Sequence, residues 1–159
     1  MSRRPYRLGP DSEALPQVLA VMQEAFASVE GRIDPPSSIH QMTLADLVIQ
    51  SETKEIWCTG TPPEACVILS PTDDAIYISK LAVASSLRRA GLGRQLVDLA
   101  VERARALGLP ALELQVRIEL VENHAAFARM GFVPSGSSAH PGYDRPTSLT
   151  MRRPLSAAV

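Results

Sequence analysis

Arg88-Arg89-Ala90-Gly91-Leu92-Gly93 is the stretch on which the reading of this chain turns. Gly91 and Gly93 let the backbone turn tightly and carry its N–H groups close to a ligand. A helix opening at this point adds the positive end of its dipole, and the arginines add charge-assisted donors on the same edge. Such a loop is suited to a diphosphate. Because Gly-x-Gly by itself is usually an ordinary turn, the flanks carry the argument. Upstream, Ala75-Ile76-Tyr77-Ile78-Ser79-Lys80-Leu81-Ala82-Val83 is rich in β-branched residues, lacks Gly and Pro, and follows Pro71-Thr72-Asp73-Asp74, which predicts a strand over 75–83. Downstream, Leu92, Leu96, Leu99, Ala100 and Leu107 recur at helical spacing opposite Arg94, Asp98, Glu102, Arg103 and Arg105. Gly108 and Pro110 end that helix.

What the run lacks narrows the ligand. There is no Gly-x-x-x-x-Gly-Lys-Ser/Thr, which excludes a nucleoside triphosphatase loop. The dinucleotide fingerprint also fails, since its third glycine falls on Leu96 and no acidic residue is cleanly placed about 20 residues further on. The segment resembles the acyl-coenzyme A loop of GNAT-type N-acetyltransferases, Arg/Gln-x-x-Gly-x-Gly/Ala, matched by Arg88, Gly91 and Gly93. Leu81-Ala82-Val83 looks like the end of that family's central strand. The resemblance implies that the backbone of Leu81, Ala82 and Val83 borders the pantetheine arm of acetyl-CoA. It also implies that the N–H groups of Arg88, Arg89, Ala90, Gly91, Leu92, Gly93 and Arg94 hold the pyrophosphate.

The similarity continues through a strand at 111–117 and a helix at 121–130 closed by Gly131-Phe132, which looks like the family's second coenzyme A segment. Two positions depart from it. Four residues before Gly131 the family often carries a Tyr, proposed to protonate the departing thiolate, and here stands Phe127. Eleven before Gly131 it often carries Asn, and here stands Leu120, with Asn123 one helical turn later as a partial substitute. Asn123 and Phe127 are therefore carried as coenzyme-facing positions, and Phe127 also as an aromatic anchor beside Met130 and Phe132. Phe127 cannot donate a proton, and general acid catalysis contributes about 10²–10⁴-fold. Tyr143 or Ser85 is a replacement donor, and solvent is another, because a thiol with a pKa near 8.5 leaves readily.

The reaction the resemblance implies is direct transfer of an acetyl group to a primary amine of a small molecule or peptide. A base must then deprotonate the ammonium form. Glu119, just past the strand at 111–117, is the first candidate, followed by Tyr77, Asp34 and His124, and the Val83 N–H is the donor for the developing oxyanion. The Pro-rich connection from Gly31 to His40 corresponds to a segment that commonly borders the acceptor pocket, making Arg32, Asp34, Ser37 and His40 candidate substrate contacts. The connection over 135–145 has the same standing. The alternative is a catalytically weak or inactive acyl-CoA-binding sensor or assembly module of the same fold, which the Phe127 and Leu120 departures permit.

Composition agrees with one domain over 1–159: 45% hydrophobic and 21% charged residues are globular proportions. A net charge of −1 gives no basic excess, so nucleic acid is not an expected partner. No apolar stretch approaches the roughly 20 residues that span a bilayer, and a cytoplasmic protein is expected. No metal is expected, since His40, His124 and His140 lack partners at ligand spacing. Cys58 and Cys66 lie in apolar runs and read as buried thiols, although a hairpin through residues 59–63 would let them face each other. Ser12 is predicted to cap a helix carrying Leu15, Val18, Leu19, Met22 and Phe26 and ending at Gly31, and Thr43 with Asp46 forms a capping box for a second. Strands are predicted at 55–59, 65–70, 75–83, 111–117, 132–136 and 147–153. The expected fold is α/β (α+β), a GNAT-like acyl-CoA N-acyltransferase domain with a mixed six- to seven-stranded sheet and about four helices, whose exposed strand edges are compatible with a homodimer.

Overall fold

The strand β3 (Ala65–Pro71) begins Ala-Cys-Val-Ile-Leu and is buried on both faces over those five residues, so the sheet containing it needs helical cover on two sides. The computed structural model of the chain describes residues 4–87 and 91–156. Its seven-stranded sheet runs β1 (Tyr6–Leu8), β2 (Glu55–Thr59), β3, β4 (Ile76–Val83), β5 (Ala111–Arg117), β7 (Ser148–Pro154), β6 (Val133–Ser138) in spatial order. All neighbours are antiparallel except β4 and β5. Helices α1 (Leu15–Ala27) and α2 (Leu44–Thr53) close one face over Leu8, Val18, Met22, Leu47, Ile56 and Ile68. Helix α3 (Leu92–Ala106) closes the other, burying Leu96, Val97 and Ala100 against Val67, Ile76, Leu112 and Phe132. Helix α4 (Val121–Arg129) has no fully buried residue and meets that second core through Phe127.

The local signals explain these boundaries, with two corrections. The Thr43 hydroxyl accepts from the Asp46 N–H at 3.1 Å while the Asp46 carboxylate accepts from the Thr43 N–H at 2.9 Å, a complete capping box. Ser12 does not cap α1: its Oγ accepts from Ala14 N at 3.2 Å in the turn before the helix, whose cap position is Ala14. Helix α1 also stops at Ala27, and Gly31, at φ +82°, belongs to the turns that follow. Cys58 and Cys66 are register partners in β2 and β3, and both are buried free thiols. The edge strand β6 is exposed along its whole length. No helix among the described residues is long and apolar enough to cross a membrane.

One ion pair ties the helix on the second face to the sheet. Glu55 is 5% exposed, and its carboxylate accepts from Arg103 Nε at 2.8 Å, from Arg103 Nη2 at 2.9 Å and from Trp57 Nε1 at 2.9 Å. Arg103 holds the Glu55 carboxyl below the usual carboxylate range, against the opposing effect of burial. A carboxyl whose pKa is lowered on folding stabilises the protein above its unfolded pKa and loses that contribution as pH falls through the folded value. Glu55→Gln is therefore expected to cost about 2 kcal/mol in urea unfolding at pH 7, with the gap from the parent closing below about pH 4.

Candidate active site

The sheet is joined across its middle by only three residue pairs. β4 meets β5 at Ile76↔Leu112, Tyr77↔Glu113 and Ile78↔Leu114. Beyond Ile78, β4 stays with β3 up to Val83↔Ala65, while β5 follows β7 to Arg117↔Ser148. The two halves part, and the edges from Ser79 to Val83 and from Gln115 to Arg117 face an opening. Backbone groups on such edges are free to pair with a ligand that lies between them.

The alternation of the antiparallel ladder fixes which groups point into it. The Ala84 N–H donates to Glu64 O at 2.8 Å, so 84 and 64 are a hydrogen-bonded pair and Val83 with Ala65 is the non-bonded pair between that one and Ala82 with Cys66. The N–H and C=O of Val83 consequently turn away from β3, toward the side that β5 has left. Between Ser79↔Ile68 and Ala82↔Cys66, two β4 residues oppose Val67 alone, a bulge in which Lys80 takes φ +54°. The bulge swaps the faces of β4. Ile76 and Ile78 lie in the core beneath α3, whereas Ala82 lies in the core beneath α1. A lysine in the left-handed region is strained, and such strain persists where surrounding structure imposes it.

Helix α3 points its N-terminus toward the same end. Gly91 is its cap residue at φ +81°, ψ 8°, with no side-chain cap and no acidic residue in the first turn. The N–H groups of Leu92, Gly93 and Arg94 are thus first-turn donors that no capping side chain takes, an arrangement that receives an anion. A Cβ on Gly93 would meet Val83 Cγ2 at 3.9 Å, which shows how closely the helix start approaches the end of β4. Arg88, Arg89 and Ala90 lie outside the described residues.

On the opposite side of the opening a polar cluster gathers from three separate loops. Glu119 Oε2 accepts from the Asp34 N–H at 3.0 Å, and Glu119 Oε1 is buried with no hydrogen-bond partner among the described residues. The Tyr143 hydroxyl donates to Asp34 Oδ1 at 2.6 Å, and Arg145 reaches Asp34 Oδ2 at 3.4 Å. Asp34 pushes the Tyr143 phenol above its usual range, so Tyr143 stays protonated. Arg117 Nη1 donates to Pro35 O at 2.6 Å and Nη2 to Pro36 O at 3.3 Å. His124 Nε2 donates to Arg117 O at 2.8 Å, since a carbonyl only accepts, and this ties α4 to the end of β5. The arrangement offers an unpartnered carboxylate oxygen and a protonated phenol, linked through Asp34, at the mouth of a backbone-lined cleft, which is chemistry for moving a proton.

The family model of the Acetyltransferase (GNAT) family matches residues 33–132, more than half of the chain and the stretch that holds the opening, the bulge and the start of α3. The chain belongs to the GNAT acetyltransferase family. No curated protein sequence matches it. Among solved structures, this GNAT acetyltransferase is similar to the ribosomal-protein-S18-alanine N-acetyltransferase of Escherichia coli at 20% identity and TM-score 0.75, covering 99% of this chain and 97% of that one. It is similar to the PaiA N-acetyltransferase of Thermoplasma acidophilum, solved in complex with coenzyme A, at 12% identity and TM-score 0.82, covering 98% and 100%. For Ard1 of Thermoplasma volcanium the figures are 17%, 0.76, 99% and 100%. At these identities the likeness establishes the fold.

The acetyltransferase's sequence-predicted residues are only partly brought together. Glu119, Asp34 and Tyr143 come together, although 85 residues separate the first two and 109 the outer pair. Tyr77 stands one pair inside the closed end of the opening, half-buried, where burial and the Glu113 carboxylate push its phenol up and make it a donor rather than a base. Arg32 and Ser37 are engaged within the protein, and His40 is exposed. Arg32 pairs with Glu122 at 2.5 Å, Ser37 Oγ accepts from Ile39 N at 3.3 Å to cap a short 3-10 helix, and His40 is exposed on that helix. Ser85 donates to Glu24 Oε1 at 2.6 Å and is thereby engaged away from the cluster. Asn123 and Phe127 are half-buried on α4, and the Phe127 ring packs edge-on against Phe132 at 5.6 Å, as an anchor does. Leu120, at the position of the missing Asn, is 5% exposed. Sequence reasoning missed Arg117 and Lys80, which had no signal beyond being cations on predicted strands, and it reached Arg145 only as part of the 135–145 connection.

Proposed function

We propose that the chain transfers an acetyl group from acetyl-CoA to a primary amine of a small molecule or peptide by direct attack, with Glu119 as the general base. The observation that carries this reading is the Glu119 Oε1 atom, buried and unpartnered at the mouth of the opening. An N-acetyltransferase of this fold needs a group there that takes a proton from the incoming ammonium, and the Asp34 N–H on Oε2 orients the carboxylate for the task. Acetyl-CoA supplies the thioester acyl group. The residues on hand fit it: first-turn donors of α3 for the pyrophosphate, the outward-turned backbone of Val83 for the pantetheine arm, and Gly91 at the turn between them.

Within that reading the Val83 N–H faces the side on which negative charge develops at the carbonyl oxygen, and a preformed backbone donor needs no reorganisation during reaction. Phe127 cannot protonate the leaving thiolate. Tyr143, protonated and held by the same Asp34 that donates to Glu119, is one candidate donor, and Tyr77, a protonated phenol at the floor, is a second. The test is isothermal titration with acetyl-CoA, using ATP and NAD as controls, followed by thiol release on addition of amines. Selective binding with amine-dependent release is expected. Binding without release to any amine would instead favour a module that carries acyl-CoA without turnover, and no binding would remove the diphosphate reading of residues 88–94.

A further inference from the structure

The two lips of the opening each present a cation to the connection between α1 and α2. From β4, Lys80 Nζ donates to Ser38 Oγ at 3.1 Å, and from β5, Arg117 donates to the carbonyls of Pro35 and Pro36. Both spend their donors on neutral oxygens. Arg32, Arg103, Arg145 and Arg152, by contrast, each hold a carboxylate within 4.0 Å. No carboxylate of the described residues is an ion-pair partner of Lys80. Burial disfavours its ammonium, and the charges of Arg117 and Lys54, both of its own sign, add to that effect. Its ammonium lies over the Phe26 ring, 5.9 Å from the centroid.

A half-buried ammonium facing like charges is unfavourable unless an anion joins it. The backbone nevertheless keeps Lys80 there, at a φ of +54° that glycine would adopt more readily. The strain and the missing counter-charge sit on one residue, at the edge of the cleft that ends at Glu119. Glu119 is close enough for its charge to act on Arg117. The cleft therefore has an acidic end suited to an amine and a basic end suited to an acid.

We propose that the acceptor is an amine that also carries a carboxylate, such as a free amino acid, and that Lys80, with Arg117 behind it, receives that carboxylate while Glu119 receives the amine. This rests on the acetyl-transfer reading of Glu119 given above and adds the acceptor class to it. An ammonium is a compact point charge, suited to one carboxylate oxygen, whereas the guanidinium of Arg117 is already occupied by two carbonyls. The anion replaces the Ser38 hydroxyl as the main partner of Lys80.

Thiol release is measured with acetyl-CoA and matched sets of α-amino acids, their amides and the corresponding decarboxylated amines, with kcat/KM expressed per neutral amine. The acids are expected to exceed their amides by about tenfold to a hundredfold, the range of one hydrogen bond to a charged group. Lys80→Met keeps the stem and the backbone requirement, and it is expected to erase that preference while leaving the Kd of acetyl-CoA unchanged. Lys80→Arg is expected to retain it. Amides or plain amines used as well as the acids overturn the proposal, and so does a Lys80→Met variant that slows every acceptor by one common factor. If no acceptor releases thiol, the same sets are titrated onto the protein–coenzyme A complex. Acids that bind in a Lys80-dependent way then uphold the anion site and remove the acetyl-transfer reading at Glu119. Acids that bind no more tightly than amides overturn the anion site.

Discussion

Glu119→Gln is expected to lower kcat by about 10²–10⁴-fold, the usual contribution of a positioned base, with the KM for acetyl-CoA unchanged. The substitution separates charge from shape. Gln retains a carbonyl oxygen that accepts the Asp34 N–H, so the contact across 85 residues that seats the 34–36 segment is preserved. What disappears is the basic oxygen now buried without a partner, Oε1. A structural role for Glu119 predicts a loss of stability with little change in chemistry. A base role predicts the reverse: an unchanged thermal midpoint, and a residual rate that climbs with pH as solvent takes over deprotonation of the acceptor, up to the amine's own pKa. A kcat within threefold of the parent, measured by thiol release at saturating acceptor, would move the base elsewhere in the cluster.

The same residues show what a linear sequence discloses. Glu119, Asp34 and Tyr143 were each legible as polar residues at strand ends or in Pro-rich connections. Asp34 reads from the sequence both as a base candidate and as a substrate contact, but its contacts with Glu119, Tyr143 and Arg145, each more than eighty positions away, were not legible. The capping box of α2 and the length of α3 were legible because both depend on neighbours within one or two turns. Strand β1 was not: at three residues, Tyr6–Leu8, it has too few positions for a period to register, and it is held by pairing with β2. The bulge was hidden for another reason. An extra residue is commonly announced by Gly, and here Lys80 occupies the positive-φ position, so the run over 75–83 reads as one uninterrupted strand. That single residue then decides which of the following side chains face α1 and which face α3.

The departures from the family pattern at Phe127 and Leu120 become understandable in the same terms. Leu120 is 5% exposed, and Phe127 meets Phe132 edge-on in the core under α3. Both positions carry apolar side chains, buried at Leu120 and half-buried at Phe127. In the proposed reaction the proton donor is then a phenol, Tyr143 or Tyr77, or solvent. Tyr143 and Glu119 both contact Asp34, so the proposed base and a candidate acid share one loop residue.

Gly91→Val is expected to weaken acetyl-CoA binding by about 10²–10⁴-fold while the chain still folds. A Cβ at position 91 would meet nothing within 4 Å, so space is not the obstacle. The obstacle is the backbone: at φ +81° a β-branched residue is strained by about 1–2 kcal/mol. The loop relieves that strain by rotating out of the left-handed region, and the first-turn N–H groups of α3 then point elsewhere. Two such donors lost to a diphosphate, at about 1.5–3 kcal/mol each, give the stated factor. Gly93→Ala is the matched control. Gly93 has no positive φ and its Cβ would sit in ordinary contact with Val83, so this variant is expected to gain about 0.5–1 kcal/mol from helix propensity and to keep its affinity for acetyl-CoA. Titration of both variants beside thermal unfolding separates the two effects. Equal affinity in Gly91→Val and the parent would mean that the turn at 91 shapes the helix start only, and that the diphosphate is held by other groups.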